Sequence, residues 1–218
     1  MIELFAHPFS SYSWKALIAF YETGAPFTYR IIDADHPENV ERLQAISPQG
    51  KFPAIIDGDI SLFEASIIIE HLQQRYPGAT RLIPAAPAAA IDVRMLDRFF
   101  DNYVMGPMQR IVADFIRLAP DRDPATVAQS REMLERSYAW LERRLTARPF
   151  ICGEEFTLAD CAAAPSLFYA DWVCEIGPAL DKLRAYRARL LGRPSVKRCV
   201  DDARPYRHFF PPGAPDRD

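Results

Sequence analysis

The stretch of sequence that decides the fold, residues 48–72, reads PQGKFPAIIDGDISLFEASIIIEHL. Two short apolar runs flank Asp57-Gly58, a dipeptide typical of a tight hairpin turn. Pro53 stands directly before the first run, where a residue that cannot donate to a sheet ladder is tolerated. Glu64 stands before an apolar-faced helix, whose first backbone N–H groups attract carboxylates. The stretch therefore predicts a strand–turn–strand–helix unit that suits an extended peptide with a free carboxylate.

The residues before this stretch alternate between strand and helix patterns. Residues 2–5 and 27–32 are apolar, β-branched or aromatic runs that predict strands. Residues 11–21 place apolar side chains at helical spacing, and Gly24 follows as a helix-ending glycine does. Residues 37–46 predict a weaker helix. The order βαβα followed by ββα is compatible with several α/β folds, so order alone does not select one.

The second half of the chain has a helical pattern throughout. Apolar stripes at helical spacing predict several helices, the first broken or kinked at Gly106-Pro107. Thr157 and Asp160 form a capping pattern before a later helix, so we interpret this polar pair as structural. The tail, residues 205–218, predicts packed coil.

A linker separates the two halves. Residues 80–90 contain Pro84 and Pro87 among alanines, a composition typical of an interdomain connection. We therefore expect one domain over residues 1–80 and a second over residues 88–218.

Composition and charge exclude several classes of function. The 218 residues are 49% hydrophobic and carry a net charge of −3 without a basic stripe, so we expect no nucleic-acid partner. We find no signal-peptide pattern and no apolar run that could span a bilayer, and we expect a cytoplasmic protein without a membrane partner. The four cysteines, in the second half, form no C-x-x-C pair, so we expect no metal site.

Three motifs resemble, in order, those of one enzyme family. They are residues 4–15, LFAHPFSSYSWK, residues 48–72, and residues 153–160, GEEFTLAD. On these motifs the chain resembles the cytosolic glutathione S-transferases, in particular bacterial-type members that use a serine. The resemblance implies a fold of class α/β plus all-α, in which a thioredoxin-like N-terminal domain of order βαβαββα precedes an all-helical C-terminal domain.

The resemblance also implies an activity. Glutathione would be the substrate bound by the first domain, with no metal, and its ionised thiol would attack a hydrophobic electrophile held between the domains, as in detoxification. Family members are usually homodimers, and the resemblance places the interface at a helix near residues 64–75 and a helix near residues 92–103.

Two serines are candidates for the group that stabilises the thiolate. Ser10 and Ser11 lie between a strand and a helix, where a bound thiolate would meet a hydroxyl donor and the positive end of the helix dipole. The residues alone favour serines that only cap the helix. The resemblance assigns the thiolate to Ser10 and leaves Ser11 as the competitor.

The resemblance implies six residues that bind glutathione. It makes the Phe52-Pro53 bond cis, pairs the backbone of Phe52 with the cysteinyl backbone, and places Lys51 at the glycine carboxylate. Glu64 would meet the γ-glutamyl amine. The sequence departs from the family at Ala65, where a serine hydroxyl usually binds the γ-glutamyl carboxylate. The residues assigned to the site are Lys51, Phe52, Pro53, Glu64, Ala65 and Ser66, the last replacing the lost hydroxyl only if the backbone shifts.

An apolar set could hold the electrophile, although a stripe at helical spacing is also typical of plain core. Its members are Phe9, Tyr12, Met108, Ile111, Val112 and Phe115.

Two alternative functions stay open. Residues 10–14 resemble the Ser-Ser-Cys-Ser-Trp pattern of the zeta branch, which isomerises maleyl-type diacids through a glutathione adduct, although Tyr12 replaces the cysteine. Ala65 favours a non-catalytic protein of the same fold that binds glutathione or a hydrophobic ligand.

Overall fold

A four-stranded mixed sheet forms the first half of the chain in the computed structural model, which describes residues 1–78 and 80–218. The strands are β1 (Ile2–Ala6), β2 (Phe27–Ile31), β3 (Ala54–Asp57) and β4 (Ile60–Phe63), in the spatial order β2-β1-β3-β4. Strand β1 runs parallel to β2 and antiparallel to β3, and β3 pairs with β4 through the predicted hairpin. Gly58 has φ +62° in this turn, a conformation that favours glycine.

Three helices complete the thioredoxin-like half. They are α1 (Ser11–Thr23), α2 (Pro37–Ile46) and α3 (Ala65–Arg75). Helix α1 ends at Gly24, which has φ +71° and donates its N–H to the Phe20 carbonyl oxygen at 2.9 Å. The element order is βαβαββα, which confirms the predicted thioredoxin-like arrangement.

The second half is helical, as predicted. Its helices are α4 (Pro87–Phe99), α5 (Gly106–Ile116), α6 (Pro124–Arg144), α7 (Leu158–Val173), α8 (Asp181–Leu191) and α9 (Pro194–Ala203). Three-residue-per-turn segments follow α5 and α9 at Ala119–Asp121 and Arg204–Phe209. The tail after α9 therefore begins as a helical turn, which corrects the expectation of coil over all of 205–218. No helix among the described residues is long and apolar enough to cross a membrane.

The predicted break at Gly106-Pro107 is replaced by a π-helical segment, Phe100–Met105, that joins α4 to α5. The Gly106 N–H donates to the carbonyl oxygen of Asp101, five residues earlier, and Met105 keeps helical angles. The wider turn lets Pro107, which has no N–H and blocks an ordinary helical turn, enter the helix without ending it.

Helix α1 is buried on every side because the second half of the chain covers the face that the sheet does not. It packs against α3 and against α7, where the ring centroids of Trp14 and Phe168 lie 4.8 Å apart. Helix α7 carries Ala162, Ala163 and Ala164, small side chains that let neighbouring backbones come close. One continuous apolar core therefore spans the sheet and the helices, and it fixes the N-terminus of α1 between them.

Candidate functional site

A polar cavity of about 290 Å³ lies between the residues that precede β3, the start of α3 and the π-helical segment. The Phe52-Pro53 bond at its edge is cis, as the resemblance implied. Its lining residues are Tyr12, Lys51, Phe52, Pro53, Phe63, Glu64, Ala65, Arg98, Asp101 and Asn102. Five of the six residues that the resemblance assigned to glutathione thus share one cavity, and the exception is Ser66.

Glu64 is held in an unusual backbone conformation at the start of α3. It is the one non-glycine residue in the described chain with positive φ, at +73°, and its exposed side chain makes no capping hydrogen bond. A non-glycine residue held there costs on the order of 1–3 kcal/mol, and such residues cluster at binding sites. Glu64 lines the cavity at the N-terminus of α3, and its carboxylate is not used as a helix cap.

Ser66 does not face the cavity, which corrects its assignment to glutathione. Its hydroxyl donates to Asp97 Oδ2 at 2.9 Å and accepts from Lys15 Nζ at 2.9 Å. Helix geometry turns the residue after Ala65 toward the α1–α4 contact, and the buried charges there hold the hydroxyl. The hydroxyl lost at Ala65 is therefore not restored by its neighbour.

Ser66 belongs to a buried ion cluster between α1 and α4. Lys15 Nζ lies 2.6 Å from Asp97 Oδ1, at an angle unsuited to a hydrogen bond, and 2.7 Å from Asp101 Oδ2. Arg98 donates to Asp97 Oδ2 at 2.6 Å and to Asp101 Oδ2 at 2.6 Å. Two cations thus balance two carboxylates, although burial still raises the pKa of Asp101.

The sequence analysis missed the groups that this cluster presents to the polar cavity. Arg98, Asp101 and Asn102 line it beside Glu64 and Ala65. The Arg98 Nη1 has no hydrogen-bond partner among the described residues, and half of this side chain is exposed. A cation and carboxylates in one cavity are complementary to the carboxylate and amine of an amino-acid head group. The sequence signal that indicates this cluster is the three-residue spacing of Arg98 and Asp101, at which side chains on a helix are neighbours.

Ser10 is the N-cap of α1, in an extended conformation with φ −90° and ψ 124°. Its hydroxyl oxygen accepts from the Ser13 N–H at 3.2 Å, which leaves the hydroxyl proton free to be donated. Ser10 lines an open groove of about 560 Å³ with Tyr12, Lys51 and Phe52, and it also lines an apolar cavity on its other side. A sulfur atom beside Ser10 would therefore meet a hydroxyl donor and the helix N-terminus together.

Ser11 is more enclosed than Ser10. It is 4% exposed, and its hydroxyl oxygen accepts from Gln109 Nε2 at 3.2 Å. It lines the apolar cavity but not the groove beside Lys51. Ser10 is therefore accessible from both the groove and the apolar cavity, whereas Ser11 is accessible only from the apolar cavity.

The apolar cavity has a volume of about 340 Å³ and lies between the first loop, α5 and the C-terminal tail. Its lining residues are His7, Phe9, Ser10, Ser11, Phe52, Met108, Gln109, Val112, Ile116, Tyr169, Phe209, Phe210 and Pro211. Three of the predicted pocket residues, Phe9, Met108 and Val112, are among them. No lysine or arginine of the described chain lines it.

Three predicted pocket residues lie elsewhere. Ile111 is fully buried in the core and does not line the cavity. Phe115 is 38% exposed, with the Arg122 guanidinium 5.5 Å from its ring centroid. Tyr12 lines the polar cavity, where burial raises its pKa to about 12, so its hydroxyl stays protonated at neutral pH. The apolar residues predicted on this helix do lie on α5, but only Met108 and Val112 of them line the cavity.

Several walls of the apolar cavity come from segments far apart in sequence. Tyr169 on α7 donates its hydroxyl to the Phe9 carbonyl oxygen at 2.9 Å and places its ring edge-on to Phe9 at 5.5 Å. Phe209 and Phe210 come from the tail. Sequence reasoning treated the tail aromatics as packing residues, because no local pattern shows which cavity a returning tail will close.

The comparisons with protein families agree with this geometry. Residues 4–80 match the family described as "Glutathione S-transferase, N-terminal domain", and residues 124–189 match "Glutathione S-transferase, C-terminal domain". The two matches fall on the sheet-containing half and on the helical half respectively.

The individual proteins that this chain is similar to carry two different names. A stringent starvation protein A homologue from Coxiella burnetii is 28% identical over 171 residues, covering 77% of this chain and 75% of its own. A glutathione S-transferase from Pseudomonas putida is 28% identical over 161 residues, covering 73% and 70%. The crystal structure of a glutathione S-transferase from Methylobacillus flagellatus with GSH bound superimposes with a TM-score of 0.81 at 25% identity, covering 91% of this chain and 98% of that one.

Proposed function

Because the chain belongs to the glutathione S-transferase family, we propose that it binds glutathione in the polar cavity and conjugates its thiol to a hydrophobic electrophile in the apolar cavity. The observation that carries the proposal is the position of Ser10. Its hydroxyl stands at the N-terminus of α1 on the boundary between the groove beside Lys51 and the apolar cavity. A thiolate there would be stabilised on one side and would face the electrophile on the other.

Each part of glutathione has a chemical partner in this arrangement. The backbone of Phe52 pairs with the cysteinyl backbone, and Lys51 meets the glycine carboxylate. Glu64 pairs with the γ-glutamyl amine. The γ-glutamyl carboxylate meets the N–H of Ala65 and the free Nη1 of Arg98, which supplies a charged donor where the family's serine hydroxyl is missing.

A second candidate function is binding of glutathione or a hydrophobic ligand without turnover. Ala65 and the relatives named stringent starvation protein A homologues favour it. The maleyl-type isomerase is less well supported, because a diacid would enter a cavity whose described lining has no cation to offset its desolvation. Glutathione titration followed by an assay with a generic aryl halide separates the candidates: conjugation supports the transferase, and binding without any turnover supports the binder.

The assembly and location that we propose follow the family. Apolar side chains on α3 and α4 are exposed, among them Ile67 at 48%, Ile91 at 67% and Met95 at 48%. A homodimer built across these two helices would cover them. All four cysteines are free, which fits a cytoplasmic location.

Removing the charge of Glu64 is expected to weaken glutathione binding by at least about 1.5 kcal/mol, because a hydrogen bond to a charged group is lost. This corresponds to a dissociation constant raised about tenfold or more. Isothermal titration calorimetry of Glu64→Gln against Glu38→Gln tests it, since Glu38 is exposed on α2, away from the cavity. Equal affinities in the two variants would contradict the assignment.

Replacing Ser10 with alanine is expected to raise the thiol pKa of bound glutathione by about one unit, the equivalent of about 1.4 kcal/mol. The ultraviolet absorbance of the thiolate, followed against pH in the wild type, Ser10→Ala and Ser11→Ala, measures this directly. A rise in Ser11→Ala alone would transfer the role to Ser11. If neither variant shows a rise, the helix dipole and backbone donors activate the thiol and the serine mechanism is wrong.

A further inference from the structure

The loop between β1 and α1, residues 7–10, carries Ser10 to the boundary of the two cavities. Every backbone N–H and carbonyl group of this loop has a hydrogen-bond partner. Among the described residues, all of these partners but one lie within residues 7–14. The exception is the Tyr169 hydroxyl, which donates to the Phe9 carbonyl oxygen at 2.9 Å. The loop is therefore fixed locally everywhere except at this carbonyl, which the helical half of the chain holds.

The hydrogen bond from Tyr169 acts on the peptide group that leads into Ser10. The carbonyl oxygen of the Phe9–Ser10 peptide accepts from Tyr169, and the N–H of the same peptide donates to the His7 carbonyl oxygen at 3.0 Å. Because a peptide group is planar, a partner at each end fixes the orientation of its plane. That orientation sets the direction in which the Ser10 side chain leaves the loop, at φ −90°.

Tyr169 is itself held firmly on α7. It is 3% exposed, and its ring centroid lies 5.0–5.4 Å from those of Phe168, Trp14 and Trp172. Burial raises the pKa of its hydroxyl well above the usual value, so the hydroxyl keeps its proton at neutral pH and remains a donor. The bond therefore transmits the position of α7 to the loop.

We propose that Tyr169 is a positioning residue for the thiolate, and that its hydroxyl holds the Phe9–Ser10 peptide so that the Ser10 hydroxyl points at the sulfur of bound glutathione. This inference rests on the proposed glutathione transferase function. Tyr169 acts through Ser10, because the proton of its hydroxyl is already donated to the Phe9 carbonyl oxygen. Since Tyr169 also lines the apolar cavity, direct action on the electrophile is the alternative that an experiment has to separate.

The size of the effect is limited by what Ser10 itself contributes. Hydrogen bonds weaken steeply as their angle departs from linear, and donors stabilise a charge best when they are already held in place. Loss of the Tyr169 hydroxyl leaves the Ser10 hydroxyl present but frees its peptide plane to rotate. The thiol pKa of bound glutathione should therefore rise by less than the rise of about one unit expected for Ser10→Ala.

The first test compares Tyr169→Phe, which keeps the aromatic wall and removes the hydroxyl, with Tyr138→Phe as a matched control. Tyr138 is 1% exposed and donates its hydroxyl to the Cys174 carbonyl oxygen at 3.1 Å, and it lines neither cavity. Both variants lose one buried hydrogen bond from a phenol to a carbonyl, so we expect similar losses of melting temperature. We expect only Tyr169→Phe to raise the thiol pKa of bound glutathione, by about half a unit, which is about threefold in the acid dissociation constant. The KM for 1-chloro-2,4-dinitrobenzene should stay unchanged, because the wall is kept.

The second test asks whether Tyr169 acts through Ser10. The ultraviolet absorbance of the thiolate is followed against pH in Ser10→Ala and in the double variant Ser10→Ala/Tyr169→Phe. Without the Ser10 hydroxyl there is no donor for the peptide plane to direct, so we expect the second substitution to add no further rise in the thiol pKa. The effects of independent sites add. A rise in the double variant equal to the sum of the two single rises would therefore overturn the inference.

The outcomes separate this inference from the function on which it rests. A wild-type protein that binds no glutathione, or an unchanged thiol pKa in Ser10→Ala, would overturn the serine mechanism and the inference together. A rise in Ser10→Ala without one in Tyr169→Phe would overturn the role of Tyr169 alone and leave the transferase standing. Equal rises in Tyr169→Phe and Tyr138→Phe would mean general loosening and would also overturn that role. A raised KM for the aryl halide with an unchanged thiol pKa would assign Tyr169 to the electrophile instead.

Discussion

Replacing Lys15 with methionine is expected to lower the free energy of unfolding by about 3–5 kcal/mol, because it leaves buried carboxylates without their cation. Lys15 is 1% exposed and contacts Asp97 at 2.6 Å and Asp101 at 2.7 Å. Methionine fills a similar volume, so the loss reports on charge and hydrogen bonding more than on packing. Arg98 keeps its bonds to both aspartates, but it cannot also satisfy the oxygens that faced Lys15.

Lys197 supplies a matched control for this prediction. It makes an ion pair with Asp201 at 2.8 Å, one helical turn away on α9, with both side chains largely exposed. Such a pair contributes about 0.3–0.5 kcal/mol, so Lys197→Met is expected to change stability little. Urea unfolding of both variants measures the difference. A Lys15→Met protein as stable as Lys197→Met would show that the buried cluster is replaceable by apolar packing.

The cluster also connects stability to the proposed chemistry. Lys15 lies on α1, five residues after the N-cap Ser10, and its partners lie on α4 and the π-helical segment beside the polar cavity. The same ion pairs that hold the two halves together thus fix the start of α1 and the guanidinium of Arg98. We infer that the proposed glutathione site depends on the contact between the two halves, although most of the residues assigned to it come from the first.

Local patterns were sufficient to predict the order of strands and helices, and the family resemblance selected the fold among those that share this order. The Asp57-Gly58 turn, the glycine after α1 and the capping pair before α7 each act on neighbouring residues, so the sequence shows them directly. The buried position of Lys15 could not be predicted in this way. Trp14, Leu17 and their periodic partners mark one face of α1. Lys15 lies outside that stripe, and its charge partners, Asp97 and Asp101, come from the second half of the chain.

The site was predictable only in part, for the same reason. Short motifs located Phe52, Glu64 and Ser10, and the structure brings these elements to adjoining cavities. The contributions of Arg98, Tyr169 and the tail aromatics depend on contacts between distant segments. Ser66 shows the opposite error, because adjacency in sequence suggested a role that the direction of its side chain rules out.

Replacing Asp160 with alanine is expected to lower the free energy of unfolding by at least about 3 kcal/mol. The carboxylate is completely buried in the first turn of α7, where it closes the capping box with Thr157. It accepts from the Thr157 N–H and hydroxyl, each at 2.9 Å, from the Tyr186 hydroxyl at 2.6 Å and from the Ile151 N–H at 3.3 Å. A buried donor left without a partner costs about 1–3 kcal/mol, and alanine would leave several.

Asp123 is the control for this last prediction, because it caps a helix without being buried. Its carboxylate accepts the Thr126 N–H at 3.0 Å at the start of α6, and loss of such an N-cap costs typically about 1 kcal/mol. For a chain of this length, each kcal/mol shifts the melting temperature by about 2–4 °C. Differential scanning calorimetry should therefore show Asp160→Ala melting several degrees below Asp123→Ala. Equal melting temperatures would mean that water or side-chain movement satisfies the donors of Thr157 and Tyr186, and that burial adds nothing to this cap.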